Sequence, residues 1–186
     1  MKIRKDNSMN IANIKYNDIA NGEGVRTTVF VSGCSNKCPG CFQPQTWDKN
    51  YGTPYTPEIE EEILKSLESK YCQGITFLGG EPFEPYNQEE ISKLILKIRE
   101  LYPDKNIWMF TGFVYDRDLT PGGKRYIDTI TDSILDNIDV LVDGPFVLEK
   151  KNLMLRFRGS ENQRIIDMKE SKSSGSIVLI DFDKRT

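Results

Sequence analysis

A chain of 186 residues with 38% hydrophobic and 28% charged residues can bury one full core and has the composition of an ordinary globular protein. A net charge of −3, with acidic and basic residues interspersed, gives no footprint for nucleic acid, and no run approaches the roughly 18 apolar residues of a membrane span. Histidine is absent, which excludes imidazole bases, Ser–His and Cys–His nucleophiles and every His-containing metal site, so any chemistry must come from thiolates, carboxylates, Lys, Arg, Tyr or a cofactor.

In chain order, the opening MKIRKDNSMN lacks an apolar h-region, so no signal peptide is expected and a cytoplasmic location is the default. Residues 27–31 (TTVFV) are β-branched and aromatic and predict a strand. Ile59, Ile63, Leu64 and Leu67 after Pro57 predict a helix over 58–70. Residues 75–78, bounded by glycines, predict a buried strand. The clearest helix is expected over 87–101, with Asn87 as N-cap, Ile91, Leu94, Ile95, Ile98 and Leu101 on one face, and Pro103 as the stop. Residues 107–110 (IWMF) predict a third strand, 124–135 a helix and 138–142 (IDVLV) a fourth strand. Beyond Phe146 the chain is more polar; residues 176–181 (SIVLID) suit a last strand or a packed tail after the linker-like KESKSSG. One domain over 1–186 is expected, with 168–186 as a C-terminal extension.

Strand–helix alternation implies an α/β fold with right-handed crossovers and a mostly parallel sheet. The unusual segments share one place in it. SGCSNKCPGC follows the first strand, Gly79, Gly80, Glu81 and Pro82 the second, Thr111 and Gly112 the third, and Asp143, Gly144 and Pro145 the fourth. All four lie past the C-terminal ends of strands, the edge where parallel α/β folds bind ligands.

Three of the four cysteines fall in one loop as Cys34-x3-Cys38-x2-Cys41, where Pro39 and Gly40 let the chain turn around a centre. A structural zinc site wants a fourth ligand, and Cys72 is expected at the opposite end of a strand. A dithiol pair of Cys38 and Cys41 leaves Cys34 unexplained. A four-iron, four-sulfur cluster on three thiolates leaves one iron open for a ligand, and this reading suits the count.

The triplet followed by Phe42 resembles the signature of the radical S-adenosylmethionine superfamily, and GGEP resembles its glycine-rich motif. The likeness extends further. DIANGEGVRTTVFVSGCSNKCPGCFQPQTWD, GITFLGGEP, IWMFTG, IDVLVDGPF and RFRGSENQ occur in order from about residue 18 to about residue 167. Together they are similar to the anaerobic ribonucleoside-triphosphate reductase activating family, activases of glycyl radical enzymes. The resemblance implies an incomplete (β/α) barrel, since 186 residues are too few for the full barrel of about 250. It implies a 4Fe-4S cluster on Cys34, Cys38 and Cys41, with S-adenosyl-L-methionine completing the open iron. Residues 79–82 would hold the methionine end, with Gly40, Phe42, Thr111 and Asp143 as further cofactor contacts.

By the same resemblance, the reduced cluster gives an electron to the sulfonium, a 5′-deoxyadenosyl radical forms, and it takes hydrogen from a glycine Cα on the anaerobic ribonucleoside-triphosphate reductase. A flavodoxin-like protein would supply the electron. Related readings are an activase of the pyruvate formate-lyase type and a small-molecule enzyme such as 7-carboxy-7-deazaguanine synthase. A zinc- or cluster-stabilised binding module is the non-enzyme alternative.

Several residues also have plainer readings. Phe42 would serve as a core aromatic, and it lacks the hydroxyl of the Tyr common there in the family. Residues 79–82 would serve as a tight turn, Thr111 and Gly112 as a strand end, and Asp143 as a turn cap. Arg158 would steer a carboxylate or flavodoxin, or form a surface ion pair. Trp47 and Trp108 are expected to pack, and Cys72 to be a buried thiol.

Overall fold

The computed structural model describes residues 9–183. Residues 1–8, where no signal peptide is expected, and residues 184–186 of the tail lie outside the described residues. Eight strands form one sheet: β1 (Asn10–Asp18), β2 (Arg26–Val31), β3 (Thr53–Pro54), β4 (Gly74–Gly79), β5 (Asn106–Phe110), β6 (Val140–Asp143), β7 (Arg164–Asp167) and β8 (Val178–Leu179). Their order is β3-β1-β2-β4-β5-β6-β7-β8. The helices are α1 (Pro57–Ser66), α2 (Pro85–Leu101), the single turn α3 (Tyr115–Asp118), α4 (Ile130–Asn137) and α5 (Met168–Ser174).

The four strands expected from the sequence are the parallel centre β2-β4-β5-β6. Val29, Phe77, Met109 and Leu141 stand side by side across it and are all fully buried. The expectation of a mostly parallel sheet holds only for this centre. β1 pairs antiparallel with β2 and β3, and β7 pairs antiparallel with β6 and β8. The β1–β2 and β6–β7 connections carry no α-helix, and without a crossover the chain returns antiparallel.

Alternation along the strands gives the sheet two different faces. The helices pack on the face of Val29, Phe77 and Met109, adding Ile63 from α1 and Leu67 just past its end, Ile91, Leu94 and Ile98 from α2, and Ile134 from α4. The other face carries a smaller apolar cluster of Trp108, Val142, Ile165 and Phe182. Its lower end holds the fully buried Arg26. That guanidinium donates to Thr76 Oγ1 (2.8 Å), Asn106 Oδ1 (2.6 Å) and the carbonyls of Glu23 (2.9 Å), Ile75 (2.8 Å) and Asn106 (3.2 Å). It also lies 5.4 Å from the Trp108 ring centroid.

Element boundaries moved for local reasons. α1 ends at Ser66, whose hydroxyl bonds back to the Ile63 carbonyl at 2.6 Å and offers the backbone an alternative partner. α2 begins two residues before the expected cap, because Pro85 fits the first helical position and Glu84 takes the cap. Asn87 does not cap. Its buried amide donates to the carbonyls of Ser32 (3.0 Å) and Glu81 (2.9 Å). The helix expected from Lys124 starts only at Ile130, after a turn in which Thr129 has φ of 63°.

The segment expected to be a linker is largely α5. Asp167 accepts from the Glu170 amide at 2.9 Å, Met168 is fully buried, and Gly175 ends the helix at φ of 70°. The tail then lays β8 on the sheet edge and packs Phe182 against Phe157 and Trp108, at centroid distances of 5.1 and 5.6 Å. No helix among the described residues is long and apolar enough to cross a membrane.

Candidate functional site

The four loops past β2, β4, β5 and β6 meet around a cavity of about 270 Å³. Cys34, Cys38 and Cys41 line it together with Gly79, Gly80, Glu81, Thr111, Gly112 and Gly144. Phe30, Leu78 and Phe110, successive neighbours on one face of the sheet, also line it, and Phe42, Trp47 and Phe146 complete an aromatic wall. Of the residues singled out in the sequence, Gly40, Pro82 and Asp143 stand outside this lining.

The cysteine loop is held from several sides. The Gly33 and Cys34 amides donate to the carbonyls of Thr46 (2.7 Å) and Trp47 (3.3 Å). The Ser35 amide donates to Glu84 Oε1 at 2.7 Å, and Arg125 donates to the Ser35 hydroxyl at 2.6 Å while pairing with Glu84. Between the second and third thiols the chain turns through Gly40 at φ of 75°, with the Cys41 amide on the Cys38 carbonyl at 3.1 Å. Gly40 thus shapes the loop from outside the cavity; a Cβ there would lie 3.0 Å from Leu148 Cδ1.

All three thiols are free and partly exposed. Burial, with Glu81 adding to it, pushes the Cys34 thiol up to about 11. Burial also raises Cys38, against the pull of the Phe146 amide. Ligation by thiolates would therefore release protons. Among the described residues no three Cys, Asp or Glu side chains gather tightly enough for a single metal ion. A donor set of three soft thiols around a cavity, without imidazole, suits an iron–sulfur cluster. Cys72 is not part of it. It is buried at the other end of β4, its thiol 3.3 Å from the Gly74 carbonyl.

Glu81 joins three of the loops. It is 1% exposed, and its carboxylate accepts from the Thr111 hydroxyl (2.7 Å), the Phe83 amide (3.0 Å), the Gly112 amide (2.8 Å) and the Asn36 side chain (3.0 Å). Four donors fill the four lone-pair positions of a carboxylate. Gly79 and Gly80 let this turn nest against β2. A Cβ on Gly79, which has φ of 111°, would meet the Phe30–Val31 backbone at 2.8 Å, and one on Gly80 would meet the Gly33 carbonyl at 2.4 Å. The 79–82 turn is therefore a tie between loops that also lines the cavity.

Comparisons with known proteins place the chain in a family. Residues 20–166 match the family model described as a 4Fe-4S single cluster domain. Over 148 residues the chain is 41% identical to the anaerobic ribonucleoside-triphosphate reductase-activating protein of Escherichia coli (strain K12), covering 78% of this chain and 90% of that one. The protein of the same name from Enterobacteria phage T4 is 36% identical over 159 residues, 84% of this chain and 93% of its own. The chain belongs to the anaerobic ribonucleoside-triphosphate reductase-activating protein family. The family model's span takes in every loop that lines the cavity and ends just before α5.

Within this family member, the sequence did not reveal the residues that brace the cysteine loop. Asn36, Glu84, Asn87 and Arg125 are ordinary polar residues, each with a partner 45 to 90 positions away. Asp143 also has a fixed place. It is fully buried, paired with Arg164, and accepts from the Tyr115 amide at 2.8 Å. Phe42 is 71% exposed rather than core, with its ring 6.2 Å from Phe146. Trp108 packs in the cluster with Phe157 and Phe182, as expected. Arg158 pairs with Asp183 of the tail.

The Glu81 network leads to a measurable expectation. Glu81→Gln turns an amide donor onto groups that are themselves donors, and should lower stability by about 1–3 kcal/mol in denaturant melts. Burial raises the Glu81 carboxyl from an ordinary 4.5 to about 7. The hydrogen bonds from Thr111, Phe83 and Gly112 pull the other way, toward the ionised form that accepts them. Identical denaturant melts for the cluster-free wild type and the Gln variant would contradict this role.

Proposed function

We propose that this chain activates an anaerobic ribonucleoside-triphosphate reductase, using a 4Fe-4S cluster held by Cys34, Cys38 and Cys41 and S-adenosylmethionine bound beside it. The observation that carries this reading is the meeting of three free thiols with the 79–81 turn and Thr111 on one cavity, while the fourth thiol, Cys72, lies at the far end of β4. Three thiolates would leave one iron of a four-iron cluster without a protein ligand, and the neighbouring turn supports binding of the methionine end there. Held there, the cluster and S-adenosylmethionine would supply one-electron reductive cleavage chemistry, directed at hydrogen on a glycine Cα of the reductase.

The chain's own residues have narrower tasks. The thiols hold the irons once they have lost their protons. The Glu81 carboxylate fixes the relative placement of the loops carrying Cys34, Gly80 and Thr111. The Phe30, Leu78 and Phe110 side chains line the inner end with apolar surface, which keeps bulk water from a reactive carbon radical. Phe42 offers a flat apolar face for the adenine. No side-chain base is needed, in keeping with the lack of His. In this reading the helix-free face of the sheet is the inside of an incomplete barrel, open for a protein substrate. The electron donor is a flavodoxin-like protein and the setting is the cytoplasm.

The test is anaerobic. Reconstituted protein, S-adenosylmethionine, a low-potential reductant and the reductase should yield methionine, 5′-deoxyadenosine and the doublet electron paramagnetic resonance signal of a glycyl radical. Cofactor cleavage without that signal on a competent reductase, or with the signal on pyruvate formate-lyase instead, would reject the assignment of the partner.

A further inference from the structure

Residues 146–159 form an arm between β6 and β7 whose two ends, Phe146 and Gly159, both line the cavity. The arm closes on itself through the antiparallel bridge of Lys151 with Ser160 and the bond from the Asn152 amide to the Gly159 carbonyl at 3.3 Å. Asn152 shapes its tip. The side-chain oxygen accepts from the Met154 amide at 2.9 Å, and the side-chain nitrogen donates to Glu161 at 3.0 Å. The tail supports the arm from beneath, with Asp183 accepting from the Arg156 amide at 2.9 Å and pairing with Arg158.

On this braced tip stand Leu153 and Met154, 84% and 85% exposed. They are the most exposed large apolar side chains among the described residues. Tight turns normally carry small or polar residues, and an apolar pair fixed in water on an arm whose two ends line a cavity suits a surface that becomes covered. Exposed Lys150, Lys151 and Arg156 flank it and outnumber the exposed carboxylates of Glu149 and Glu161, with the Lys151 ammonium 5.2 Å from the Phe42 ring centroid at the cavity wall.

We propose that this arm docks the reductase, its Leu153–Met154 tip and flanking cations taking a segment of apolar side chains bordered by carboxylates near the target glycine. The inference rests on the function proposed above. It favours the reductase over the electron donor because hydrogen transfer requires the glycine Cα to come within about 3.5 Å of its reaction partner, so the protein substrate must touch the rim. An electron carrier needs only proximity. The cations select an acidic border on the partner and should make association salt-dependent.

The test compares the full-length wild type with Leu153→Ser/Met154→Ser and with Lys150→Glu, all loaded with cluster. None of these side chains lines the cavity, so S-adenosylmethionine cleavage without reductase, driven by a chemical reductant, should stay within about twofold of wild type. The Kd for the reductase should rise about tenfold or more in the double variant, and less in Lys150→Glu, with the latter loss shrinking at high salt. Unchanged reductase affinity in the double variant would overturn the proposal. So would a defect seen only when a protein donor replaces the chemical reductant, since the arm would then serve that donor. Wild type that binds the reductase and cleaves the cofactor but forms no glycyl radical would instead reject the functional reading itself.

Discussion

Replacing Cys34, Cys38 or Cys41 singly with Ser should remove the visible absorption of the reconstituted cluster and reduce S-adenosylmethionine cleavage to about 1% of wild type or less. Cys72→Ser should leave both intact. The contrast follows from position. The three thiols open on one cavity, whereas Cys72 is buried at the start of β4, where it bonds to the Gly74 carbonyl at 3.3 Å. The size of the effect follows from the count. A cluster held by three thiolates would have no spare one, and no His exists to substitute. Removing a group that merely supports a ligand commonly costs ten- to a hundredfold in metal affinity or activity, so about a hundredfold is a floor for removing the ligand. Iron content and the absorption spectrum after anaerobic reconstitution measure this directly. A triplet variant that retains a full cluster, or a Cys72 variant that loses it, would remove the basis of the site.

The second large effect concerns the opposite end of the sheet. Arg26→Ala should destabilise the protein by about 3–5 kcal/mol, seen as a fall in Tm of about 10 °C or more. The side chain is fully buried, and its guanidinium meets five acceptors on four residues from the chain before β2, from β4 and from β5. Burial lowers it to about 10, so it stays charged at neutral pH, with hydrogen bonds and the Trp108 ring compensating the charge. Truncation leaves those acceptors unmet beside a new void. Arg26→Lys should rescue little, because an ammonium cannot reproduce a planar fork of five donors. A melt of Arg26→Ala within about 2 °C of wild type would show that the floor of this face is held by its apolar neighbours alone.

The central strands were legible because their signals are local. TTVFV, ITFL, IWMF and IDVLV are short β-branched or apolar runs, and each is followed by turn chemistry, so both the strands and the loops past their ends could be read directly. β1 was not legible. Register shifts between Ile11 and Asn13 and between Lys15 and Asp18 break the period-two pattern that would have marked it. β7 has four residues, too short for any period to emerge, whereas β8 falls within the 176–181 segment read as a last strand or a packed tail. α5 was hidden because KESKSSG is polar throughout, and only Met168 and Ser171 are buried beneath it. Its capping by Asp167 and Gly175 is the feature that composition alone overlooks.

The sequence by itself determined the chemistry: three thiols within eight residues, no imidazole, and four turn-rich segments each placed after a strand. Thiolate number and strand order are properties of the chain, and a parallel centre necessarily brings those segments to one edge. Only the tertiary structure decided how that edge is used. It gave Glu81 four donors, three of them, Asn36, Thr111 and Gly112, in other loops, and it gave Asp143 to Arg164 rather than to the cavity. It also placed Asn87 between the Ser32 and Glu81 carbonyls and folded the 146–159 arm back to the rim. Most of these outcomes depend on hydrogen bonds between residues 21 to 55 positions apart, and the arm meets Phe42 across 104, separations that leave no mark in the local spacing from which a sequence is read.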